Sequence, residues 1–134
     1  MTSTIRVDNF GPSAGGTTYS ARGIAKAWVN FNGTSTIAAR DSENVSSLTD
    51  NGDGDYTVNF SSAFDAGNYN MTGSSANGAG ANFASNRILG VYADAGGVGN
   101  SAPTSTACRI ASIYGTETKQ DAVWINATFH GDLA

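Results

Sequence analysis

The run Asp50-Asn51-Gly52-Asp53-Gly54-Asp55 sits between segments that alternate apolar and polar side chains, and it constrains the fold more than any other feature. Its Asn-Gly and Asp-Gly pairs supply the positive φ angles that tight hairpins require. Just after it, Tyr56, Val58 and Phe60 point one way while Thr57 and Asn59 point the other. Upstream, Val29 and Phe31 share a face opposite Trp28 and Asn30. Alternation of aromatic and β-branched residues marks half-buried strands. Ala25 to Phe60 therefore reads as two strand–turn–strand units.

Further strand candidates follow with short, regular spacing: 26–31, 35–40, 45–49, 56–61, 68–74, 87–94, 105–114 and 121–130. The last alternates most clearly, with Val123, Ile125, Ala127 and Phe129 on one side and Trp124, Asn126, Thr128 and His130 on the other. No segment carries a 3.6-residue period, so almost no helix is expected. The expected fold is all-β: a single-domain β-sandwich of jelly-roll type or a small barrel over 25–134, preceded by an N-terminal arm over 1–24. The arm holds one short strand candidate, Ile5-Arg6-Val7, before the turn-forming run Gly11-Pro12-Ser13-Ala14-Gly15-Gly16.

Composition narrows the function. The chain has 134 residues, enough for one core, and only 13% of them are charged. Seventeen glycines and many Ser, Thr and Asn residues suit tightly turned sheets whose outer faces are solvated by hydroxyls and amides. A formal net charge of −4, with the basic residues scattered, argues against a nucleic-acid partner. No run is long and apolar enough to span a membrane as a helix. The opening MTSTIRVDNFG lacks the basic start and apolar core of a secretory signal, so assembly in a cytoplasm is expected.

The residue types that carry chemistry are present only as near-misses. Cys108 is the single cysteine, in the run Thr106-Ala107-Cys108-Arg109-Ile110, and reads as a buried thiol. His130 is the single histidine, with no spaced nucleophile or carboxylate beside it. Asp50, Asp53 and Asp55 suggest a calcium loop, yet from Asp50 the third position is Gly52 and the twelfth is Ser61, where a bidentate Glu is needed. Asp41 and Glu43 would share a strand face, as carboxylates of many acidic sheets do. The expectation is a protein that is not an enzyme and has no cofactor or bound metal.

Two sets of residues are candidates for contact. Trp28 and Trp124 lie opposite the core set of their strands, where an apolar ring marks either a subunit contact or a second sheet packed over it. Ile5 and Val7 join them as the apolar positions of the arm. The turn residues Asp50, Asn51, Asp53 and Asp55, with Asn77 and Phe83 of the small-residue run 74–85, form either a recognition surface or plain connectors between strands. The Gly-rich run 95–104 is the other expected surface loop.

Several phrases also carry a resemblance: KAWVNFNGT (26–34), NVSSLTDNGDGDYTVNF (44–60), NYNMTGS (68–74) and the opening TIRVDNFGPSAGGT (4–17). They resemble a β-rich domain of tail-fibre and other structural proteins of tailed bacteriophages, particularly marine ones. The resemblance implies a virion structural role, usually as a homotrimer held among other virion proteins. A tail-fibre or tail-tip module touching a host surface glycan or protein is one form of that role. A capsid decoration protein is the other.

Overall fold

The computed structural model describes residues 9–10, 19–20, 23–77, 87–92, 102–115 and 118–134, the first four by their backbone alone. Ile5, Val7 and Phe83 lie outside the described residues, as do most of the two Gly-rich runs. In chain order the strands are β1 (Asn9–Phe10), β2 (Tyr19–Ser20), β3 (Ala27–Asn32), β4 (Ala38–Glu43), β5 (Val45–Gly52) and β6 (Asp55–Phe60). They continue as β7 (Asn70–Ala76), β8 (Arg87–Val91), β9 (Ala107–Tyr114), β10 (Thr118–Lys119) and β11 (Trp124–His130). No α-helix occurs among the described residues.

One antiparallel sheet in the order β4-β3-β11-β7-β8-β9-β6-β5 curls into a nearly closed barrel, with β10 paired to β9. β1 and β2 pair with each other, apart from that sheet. The alternation explains the closure: Ala27, Val29 and Phe31 of β3, Tyr56, Val58 and Phe60 of β6, and Ile125, Ala127 and Phe129 of β11 all turn inward and are buried. Cys108 and Ile110 of β9 complete the lining. Phe60 meets Phe64, Tyr69 and Phe129 edge to face with centroids 4.8, 5.5 and 5.0 Å apart, an arrangement aromatic quadrupoles favour.

β4 and β5 are the two ends of the strand order although Asn44 alone separates them in sequence. Asn44 has φ 54, a left-handed conformation that asparagine tolerates. Its side chain pins the bend: Oδ1 accepts from Ser62 N at 2.6 Å and Nδ2 donates to Ser62 O at 3.2 Å. The chain thus pairs first with β3 and then, past the bend, with β6.

The structure shifts several expected boundaries. The strand expected at 35–40 starts at Ala38, because Ser35 has φ 58 and the backbone is still turning there. The turn expected over 50–55 shrinks to Asp53-Gly54, since β5 runs on to Gly52, which pairs with Asp55. The alternation there is masked by a bulge: Asn51 is an extra residue in β5, so polar side chains fall on both faces. Gly54 has φ 62, and a Cβ there would strike the backbone of Gln120 and Ser112 O, the latter at 2.6 Å. Glycine is required at this turn on both counts.

Candidate functional site

The register places Trp28 and Trp124 on the same outer face, across β3, β11 and β7. Trp28 lies opposite Thr128, which lies opposite Thr72; Asn30 lies opposite Asn126, which lies opposite Ser74. The two indoles are four residues apart along the strands, about 13 Å at the usual rise. Between them runs a row of side-chain hydrogen bonds: Asn30 Nδ2 to Asn126 Oδ1, then Asn126 Nδ2 to Ser74 Oγ at 3.4 Å.

Trp124 is 46% exposed, and Arg40 lies over its ring at 3.9 Å from the centroid. Arg40 is the bulged residue of β4, which frees it to reach across the sheet and donate to Val123 O at 2.7 Å. Asp41 and Glu43 extend the same face, opposite Asn30 and Trp28. They share a face as their spacing implied. Arg40 was not singled out from the sequence; only a bulge, which alternation does not reveal, brings it here.

The second feature is the seam between β4 and β5. Their outer edges have no strand partner among the described residues. The notch between them has a volume of about 270 Å³. Ile37, Ala39, Ser42, Val45 and Leu48 line it. Ile37, Val45 and Leu48 are only half-buried although they pack on the core, so the barrel's interior is thinly covered here.

The proposed recognition turn divides. Asp50, Asn51 and Asp53 are exposed, and Asp50 Oδ1 accepts from Gly52 N at 2.9 Å, which is turn chemistry. Asp55, in contrast, is fully buried and cannot serve as a recognition residue. Arg109 holds it through Nε at 2.7 Å and Nη2 at 2.8 Å, and Lys119 Nζ bonds Oδ2. Both cations also approach the ring of Tyr92, at 4.9 and 4.6 Å from its centroid. Burial acts to raise the Asp55 carboxyl pKa, but hydrogen bonds and charge from Arg109 and Lys119 outweigh it and hold it below its ordinary value. Asn77 is exposed, just past the end of β7.

The other polar groups have structural work. Tyr56 Oη lies 2.8 Å from both Gly33 O and Asp121 Oδ1, which share its one proton, and Gly54 N donates to the same Asp121 oxygen at 2.8 Å. His130 Nδ1 must carry the proton in its 3.2 Å contact with Gly23 O, since a carbonyl only accepts. Cys108 is fully buried, and burial pushes its thiol up to about 11. Cys108 Sγ points to Arg109 O at 3.8 Å, so it and His130 bond elsewhere rather than to each other. Among the described residues no cluster of three or more His, Cys, Asp or Glu could hold a metal.

Sequence reasoning also missed Ile88, 66% exposed on the outer face of β8 opposite Ile113. The segment 87–94 reads as a run of mixed character, and the pairing partner decides which side of it faces out. No protein-family model, curated protein or solved structure matches this chain.

Proposed function

We propose that the chain is a non-enzymatic structural protein of a bacteriophage virion, a tail-fibre or tail-tip module that contacts the host surface as a trimer. The phrases in 4–17, 26–34, 44–60 and 68–74 support the virion role by resemblance. The geometric observation that carries it is the outer face of β3, β11 and β7. Two indoles stand there beside amides, hydroxyls and carboxylates, with one indole braced by a guanidinium. Such a face suits contact with a protein or glycan, because rings supply area while planar amides supply directed hydrogen bonds. Three copies on one axis would multiply weak contacts through effective concentration.

Capsid decoration is the second reading. It is favoured by the barrel-like sheet into which most of the described residues fold, a body suited to being held against a shell. Copy number separates the two: hundreds of chains per virion mean decoration, and a few to some tens mean tail. Purified protein that blocks virion adsorption to host cells, with Trp124→Ala losing the block, is the expected result for the tail reading. Failure of the wild-type protein both to bind cells and to compete would overturn it.

A further inference from the structure

We infer that the β4–β5 seam is a docking slot for the N-terminal arm of a second copy of this chain, received as an added antiparallel strand along β5. A neighbouring copy fits the slot whether or not the protein belongs to a virion.

An unpaired edge exposes N–H and C=O groups that a further strand can satisfy. Here two such edges flank one notch, and the notch opens onto half-buried Ile37, Val45 and Leu48. Most of each edge is blunted by bulges: Arg40 in β4, and Ser46 and Asn51 in β5. Between the two bulges of β5, Ser47 to Asp50 stay in regular register with β6. That leaves room for a strand of about four residues, and only a short one.

The arm has that length and pattern. Ile5 and Val7 alternate with Thr4, Arg6 and Asp8, so a strand of these residues turns two apolar side chains one way. Laid along β5 with Ile5 and Val7 inward, it covers the apolar lining of the notch. The first 22 residues contribute only β1 and β2 to the described structure, and these pair with each other outside the barrel sheet. Charge does not oppose the pairing: residues 38–53 carry Asp41, Glu43, Asp50 and Asp53 against Arg40 alone, and the docking strand Thr4–Asp8 brings Arg6 with Asp8, so it adds no net negative charge to this acidic edge. Each copy then gives one arm and receives one, a head-to-tail contact that makes a closed ring wherever its rotation closes.

The test uses the full chain. Chains carrying Thr4→Cys are mixed with chains carrying Ser47→Cys or Thr49→Cys and oxidised; Asn68→Cys is the control. The arm in the slot gives a disulfide-linked dimer on a non-reducing gel for the Ser47 or Thr49 partner and none for Asn68. Alongside, light scattering of the full chain gives an oligomer, deletion of residues 1–8 gives a monomer, and amide exchange at Ser47–Asp50 speeds at least tenfold on deletion. If the deletion variant fails to fold, the cross-link in the full chain still decides. A monomeric full chain, an oligomer that survives the deletion, or a cross-link to the Ser47→Cys and Thr49→Cys chains no stronger than to the Asn68→Cys control would overturn the inference.

Discussion

Asp55 and Arg109 face each other across β6 and β9 as a two-pronged ion pair, Nε on one carboxylate oxygen at 2.7 Å and Nη2 on the other at 2.8 Å, with the carboxylate fully buried. Lys119 of β10 closes on the same carboxylate, so one acid ties three strands together. Paired charges of this kind matter most when one is removed, because the others lose their partner inside the protein.

Asp55→Asn should therefore lower stability by about 2–4 kcal/mol, the usual range for breaking a buried pair reduced for two cations that stay about a third exposed. Thermal melting against pH tests the charge itself. The folded carboxyl lies below its ordinary value, so its contribution is complete above about pH 4 and fades as pH falls toward the lower folded value. The wild type should lose melting temperature over that acid range, and Asp55→Asn should lose much less. Equal losses would show that other carboxylates govern the acid limb.

Gly54→Ala should cost more than Gly115→Ala. Both glycines have left-handed backbones, with φ 62 and 61. That conformation costs an alanine about 1–2 kcal/mol. Only at Gly54 does the added methyl also meet backbone, whereas Gly115 opens onto free space. Denaturant midpoints of the two variants measure the difference, and equal values would mean that the β5–β6 turn yields.

The phenols of Tyr56 and Tyr69 should ionise only when the protein unfolds. Burial raises both pKa values above the ordinary 10, and a hydrogen bond to Asp121 raises Tyr56 further. A raised acid of this type contributes stability below its unfolded pKa, and that contribution fades as pH climbs above about 10. Absorbance of tyrosinate, followed with circular dichroism, should show two phenols appearing together with the loss of β signal. Tyr56→Phe should cost about 1–2 kcal/mol, since Gly33 O loses a buried donor.

Cys108 should resist a thiol reagent at pH 8 in the native state and react fully in denaturant. Its thiol is fully buried and pushed up to about 11, and only the thiolate is the nucleophile. Native labelling within minutes would mean that β9 opens readily.

Much of the sheet was legible from one period. Val29 and Phe31 of β3, Tyr56, Val58 and Phe60 of β6, and Ile125, Ala127 and Phe129 of β11 are buried on the side that alternation assigned to the core, and Trp28 and Trp124 both face outward as their strands required. Boundaries were less readable where extra residues interrupt the alternation. Arg40, Ser46 and Asn51 are bulges, and each shifts the apparent face of its neighbours.

Side-chain alternation along the chain determined that this protein is built from strands and which side of most of them is wet, because that choice depends on nearest neighbours alone. Tertiary structure decided which strands meet: β3 pairs with β11 across almost the whole sequence, and β4 parts from β5 at a single asparagine. It also turned Asp55 from an apparent surface acid into a buried tie, because Arg109 and Lys119 arrive from strands more than fifty residues later. A local pattern sets the face a side chain points to; only the pairing of strands distant in sequence sets what waits there.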